Sequence, residues 1–183
     1  VSGTHAYVAD YTSLQVIAIA NPASPQIVGS VDTPGSAYGV AVSGTHAYVA
    51  DFGSGLQVID ITNPASPQIV GSVDTPWEAR RVTVSGAFAY VADMESGLQV
   101  IDISNPANPH IVGSVNTPGA AQGVAVSGTY VYIADDIAGL QILPAQCESS
   151  AGVGEDRRAA SKMLVTAYPN PASSRTLIHF ETL

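Results

Sequence analysis

Apolar residues in the first 144 positions arrive in short dense runs, cut by Gly, Pro, Asn or Asp every few residues. His46-Ala47-Tyr48-Val49-Ala50-Asp51 is apolar at odd and even positions alike, and Leu56-Gln57-Val58-Ile59-Asp60-Ile61 nearly so. An amphipathic helix would space its apolar residues three and four apart, and a strand with one wet face would alternate. Short Val-, Ile- and Tyr-rich runs without either period predict strands buried on both faces. Four fit into one stretch: strand A over 38–43, B over 46–51, C over 56–61 and D over 68–74. Gly44-Thr45 turns A into B, and Gly53-Ser54-Gly55 turns B into C. Asn63-Pro64-Ala65-Ser66-Pro67 leads C to D, where proline presets φ and stops the preceding strand. Thr75-Pro76 opens the crossing to the next stretch.

That next stretch repeats the same text. Copies start at Val1, Val42, Val84 and Val126, so the period is near 42 residues. A period of that size with four strands per copy predicts stacked units, each unable to bury its faces alone. The expected fold is all-β: a partial β-propeller of four-stranded antiparallel blades, three blades plus an incomplete fourth, with strand A innermost. The copies run over 1–41, 42–83, 84–125 and 126–144. Helical repeats are excluded by the frequency of Gly and Pro. An array of this length is expected to be part of a ring of six to eight blades in a longer parent protein.

The recurring Gly-Leu-Gln-Val-Ile-Asp-Ile-Thr-Asn-Pro-Ala-Ser-Pro-Gln-Ile-Val-Gly-Ser-Val-Asp-Thr-Pro of 55–76, with Ala-Tyr-Val-Ala-Asp before it, resembles the LVIVD repeat of bacterial surface and secreted proteins. The resemblance implies a propeller and no particular reaction. Residues 145–163 are Ser, Ala, Gly and mixed charge, and read as a linker. Residues 164–183 hold Tyr168-Pro169-Asn170-Pro171, then Ile178 and Phe180. That segment resembles the start of the C-terminal sorting domain of type IX secretion substrates, and equally that of the immunoglobulin-like domain of flagellar hook-capping proteins. Either implies a truncated β-sandwich segment. The first implies contact with the secretion machinery and an extracellular or outer-surface location.

Composition narrows the partners. Within 1–144 there are eleven acidic residues and only two basic ones, Arg80 and Arg81. Nucleic-acid binding, which rewards clustered Lys and Arg, is excluded as an expectation. No apolar run approaches the roughly 18 residues of a membrane-spanning helix. Cys147 is the single cysteine, so no internal disulfide forms. No His stands in a metal-ligand or Ser-His-Asp pattern, and no phosphate-binding glycine motif occurs. No metal, no cofactor and no catalytic residue are expected.

Comparing the copies shows where they differ. The A–B turn and C–D connection hardly change, and 21–34 is identical to 63–76. Variation collects in the B–C turn (Tyr11-Thr12-Ser13, Phe52-Gly53-Ser54, Met94-Glu95-Ser96, Asp136-Ile137-Ala138) and in the D–A crossing. The crossings read Gly35-Ser36-Ala37-Tyr38, Trp77-Glu78-Ala79-Arg80 and Gly119-Ala120-Ala121-Gln122. In an antiparallel blade both connections lie at the same end, and binding residues concentrate on loops over a rigid scaffold. The expected ligand-binding residues are Tyr38, Arg80 and Gln122, one position in successive blades at the channel mouth, with Trp77, Glu78 and Arg81 beside them. An exposed Trp with two Arg is the composition of a binding hot spot. The expected partner is a protein or an anionic glycan. Asp10, Asp51, Asp93 and Asp135 close strand B in each copy and are expected to fix the following turn through their side chains. The function this predicts is a binding or scaffold module. The alternatives are a propeller enzyme, a hydrolase or lyase with its site in the central channel of missing blades, and a purely structural array.

Overall fold

The computed structural model describes residues 1–145; the expected linker from 146 onward and the segment 164–183 lie outside the described residues. The described residues form fourteen strands in four antiparallel sheets. The first sheet is β1 (His5–Ala9), β2 (Tyr11–Ala18) and β3 (Gln26–Ala37). The second is β4 (Gly39–Ser43), β5 (His46–Ala50), β6 (Leu56–Asp60) and β7 (Gln68–Val73). The third is β8 (Arg81–Ser85), β9 (Phe88–Ala92), β10 (Leu98–Asp102) and β11 (His110–Val115). The fourth is β12 (Gly123–Ser127), β13 (Tyr130–Ala134) and β14 (Leu140–Pro144). Each sheet is a simple meander in sequence order.

Two sheets have the four expected strands and two have three. In the first, only Val1–Thr4 precede β1, and Ser2 pairs with His5 as Ser43 pairs with His46 in the second. In the fourth, the described chain leaves the sheet after β14. A 3-10 turn over Asp136–Ala138 is the one helical piece among the described residues.

The blades fan around their first strands: β4, β8 and β12 form the closest approaches between different sheets. The double-sided apolar text is explained by the seams. Along β5, Ala47 and Val49 turn to the seam with the first sheet, where Leu14, Ile59 and Ile61 join them. Tyr48 and Ala50 turn to the seam with the third sheet, onto Ala89, Val91 and Ile101. Tyr90, Ala92, Val131 and Ile133 fill the seam between the third and fourth. The two-residue alternation of a strand thus divides each central strand between two cores.

The seams also dictate glycines. A Cβ on Gly29 would lie 2.2 Å from Pro64 O, and one on Gly71 2.1 Å from Pro106 O. The outer strand of one blade therefore lies directly against the Asn-Pro connection of the next, where no side chain fits.

Candidate functional site

The variable turns and crossings meet at one end of the blades, and hydrogen bonds show how. In the second blade Asp51 N donates to Gly55 O (2.8 Å) and Ser54 N to Asp51 O (3.0 Å), so the B–C turn is closed by main chain. The Asp51 side chain goes elsewhere. It accepts from Thr33 Oγ1 (2.6 Å) and from Gly35 N (2.8 Å), both in the crossing that arrives from the preceding blade. Asp93 accepts likewise from Thr75 Oγ1 (2.6 Å) and Trp77 N (3.0 Å), and Asp135 from Thr117 Oγ1 (2.6 Å) and Gly119 N (3.0 Å). Asp10 alone bonds its own turn, through Ser13 N and Ser13 Oγ, both at 2.9 Å. The expectation of four turn-fixing side chains is thus corrected for three: they latch blade to blade. The physical reason is burial. Asp51, Asp93 and Asp135 are fully buried, and a buried carboxylate needs several donors, which the crossing supplies. Burial pushes the Asp51 and Asp93 carboxyls above the ordinary range, while the Thr and main-chain donors pull back.

Each crossing is held from its other side as well. Phe52 N donates to Ala79 O (3.1 Å) and Ala79 N to Phe52 O (3.0 Å); Met94 and Ala121 exchange the same pair at 3.2 and 2.9 Å. Tyr11 pairs with Ala37 in the same way. A crossing is therefore clamped between the turn of the blade it leaves and the Asp of the blade it enters. The residue at this position has positive φ in all four copies: Tyr11 (82°), Phe52 (52°), Met94 (45°) and Asp136 (43°). None is glycine, although left-handed backbone is unfavourable for other L-residues.

That clamp brings aromatic rings together across blades. Tyr11 meets Tyr38 edge-on with centroids 5.8 Å apart, and Tyr38 meets Phe52 at 5.5 Å. The Arg80 guanidinium lies 4.7 Å from the Tyr38 centroid and 5.3 Å from that of Phe52, within cation–π range. Glu78 pairs with Arg80 at 3.5 Å, and both side chains remain part-exposed. The Arg80 Nε atom is buried and has no acceptor among the described residues. Arg81 turns back across the seam and donates to Tyr38 O (2.7 Å) and Arg80 O (3.0 Å). A Cβ on Gly39 would press on Arg80 O at 2.9 Å and Arg81 Cα at 3.1 Å, so Gly39 makes room for this contact.

Of the six expected binding residues, Tyr38, Glu78 and Arg80 fall in one cluster, and Arg81 braces its base. Trp77 is 51% exposed and bonds Asp93 through its main chain. Gln122 is exposed in the next blade, and the ring contacts do not extend to it. Tyr11 and Phe52 belong to the cluster and were missing from the expected set. Their signal was present: an aromatic residue directly after the repeated Asp, in the turn that varies.

The LVIVD repeat matches the chain four times, over residues 1–33, 34–75, 78–117 and 118–143. The chain belongs to the LVIVD-repeat family. The second and third family units hold whole sheets, β4 to β7 and β8 to β11, and the cuts fall in the Thr-Pro crossings. No curated protein sequence matches the chain. Among solved structures, two computationally designed proteins, Ika4 and Ika8, are similar in fold. Ika4 aligns with a TM-score of 0.65 and 10% identity, over 79% of this chain and 88% of its own. Ika8 aligns with a TM-score of 0.63 and 13% identity, over 79% of this chain and 44% of its own, so the chain spans less than half of Ika8. Likeness at these identities is of fold alone.

Proposed function

We propose that this LVIVD-repeat array is a non-catalytic binding module of a secreted or cell-surface protein, and that it engages a protein or glycan partner through the turn-and-crossing end of its blades. The observation that carries this reading is the coincidence of variation and geometry. The differences between copies concentrate in two connections, and those connections touch: Phe52 with Ala79, Met94 with Ala121. A rigid repeated frame with its variation on one surface is the plan of a binding scaffold. The exposed Trp77 beside the Arg80–Glu78 pair supplies hot-spot side chains on that surface. The extracellular location is supported by the resemblance of the repeat, and of 164–183, to exported proteins.

The test exchanges the third copy's crossing for its neighbours' text: Trp77→Gly, Glu78→Ser, Arg80→Tyr and Arg81→Gly. Pull-down from the native extracellular milieu should recover a partner with the wild-type chain and lose it with the variant. Equal recovery by both sinks the assignment of this surface. Deleting 164–183 from the exported parent protein should prevent surface display, and unchanged display removes the secretion-machinery contact.

A further inference from the structure

The ring cluster has a chemistry of its own. Resting on the binding-module reading above, we propose that the strip formed by Tyr11, Tyr38, Phe52, Arg80 and Glu78 binds a neutral saccharide chain. The strip is continuous over the first three blades, each ring or guanidinium within 6 Å of the next. It opens at Tyr11, whose residue is 58% exposed. Tyr38, Phe52 and Arg80 lie within 5.5 Å of one another, so the surface is a compact aromatic patch with one open end, where a pyranose of a saccharide chain can stack.

A pyranose has C–H faces and hydroxyl edges. The faces stack on aromatic rings, and the edges need both a donor and an acceptor. Glu78 is an acceptor and Arg80 a donor, standing 3.5 Å apart with part of each side chain in solvent. The Arg80 Nε donor, buried without an acceptor among the described residues, is the kind of group that calls for a ligand or water.

Charge selects a neutral polymer over the anionic glycan that two arginines first suggest. The Glu78 carboxylate offsets Arg80, and Arg81 is engaged with two main-chain carbonyls. The field around the strip is set by the eleven acidic residues of 1–144 and repels polyanions.

Affinity electrophoresis of the full 183-residue chain through soluble β-glucan, mannan and galactan, with polygalacturonate as the acidic probe, tests this. At least one neutral polymer should retard the wild type, and polygalacturonate should not. Tyr11→Asn and Phe52→Asn remove a ring while keeping a residue that accepts left-handed backbone. Each should weaken retardation about tenfold, with Tyr11→Asn leaving thermal stability unchanged or higher. A site that is only structural would give the reverse: lower stability and unchanged retardation. Retardation by polygalacturonate alone, by no polymer, or equally in both Asn variants and the wild type overturns the proposal. A protein partner lost with the exchanged crossing, with no polymer bound, overturns the saccharide and leaves the module standing. Absence of any partner overturns both.

Discussion

The two ends of the blades are held together by opposite means. At the end that carries the A–B turns and C–D connections, side-chain bonds are local. Ala23, Ala65 and Ala107 N each donate to the Asn two residues earlier at 3.2 Å. Blades meet there by shape, with Gly29 and Gly71 flush against the next connection. At the other end, the side-chain bonds of the Asp latches run 16 to 18 residues back along the chain, from one blade to the next. Local bonds with tight shape leave little to change, and that text varies less than the text of the other end. The latch uses Thr, Asp and main chain, so the side chains between them are free to differ without opening the seam.

Substitutions that strike each end separate these two plans. Gly71→Ala pushes a Cβ to 2.1 Å from the Pro106 carbonyl, a main-chain atom that cannot swing away. We expect a loss of about 3 kcal/mol in urea unfolding, the largest of the set. If Gly71→Ala unfolds like wild type, fit is not what closes that end. At the latch end, Thr75→Val removes the 2.6 Å donor from the buried Asp93 carboxylate. That should cost about 2 kcal/mol.

Acid should then distinguish the ends by sign. The Asp93 carboxyl is raised by burial, against the pull of Thr75 and Trp77 and with a push from Glu78. A raised folded value means the native state holds its proton more tightly than the unfolded chain. This contribution is fully present below the unfolded value and lost as pH rises through the folded one. Asp60 and Asp102 at the other end are lowered by bonds from Thr62 and Ser104. Their contribution is present above the unfolded value and lost as pH falls through the lowered folded one. The Thr75→Val deficit should therefore be greatest near neutrality and shrink as the medium is acidified, since a protonated Asp93 needs the donor less. A deficit that grows on acidification would mean that Asp93 does not carry the latch.

The smallest effect concerns the clamping residue. Met94→Asn exchanges a strained left-handed residue (φ 45°) for one that tolerates it. The expected gain is about 0.5 kcal/mol, read as a small rise in melting temperature. A loss instead would show that the Met94 side chain packs something the latch requires.

Much of the frame was legible before any coordinates. The expected strands at 46–51 and 56–61 differ from β5 and β6 by one residue at the end, and both-sided apolarity follows from each sheet filling two seams. The site was legible only in outline. Comparing copies lays Asp51 beside Asp93, yet the bonds join Asp51 to Thr33 and Asp93 to Thr75, positions that such a comparison never sets side by side. For the same reason Arg80 was expected among Trp77, Glu78 and Arg81, and its place over Tyr38, supplied by a different copy, was not. Tyr11 and Phe52 were visible as variation and not as partners, because their rings meet only after a crossing has joined one blade to the next.

The clamp on each crossing also bears on how such a protein grows. The second and third units each carry both an acceptor for the blade before them and a turn that grips the crossing to the blade after them. Donor, acceptor and grip are written in one passage of about 42 residues. Tandem duplication of that passage therefore adds a blade already fitted to its neighbours on both sides, with no compensating change elsewhere. Gene lengthening and seam fitting become a single event. Each new copy then arrives with an intact frame and two connections at liberty to diverge.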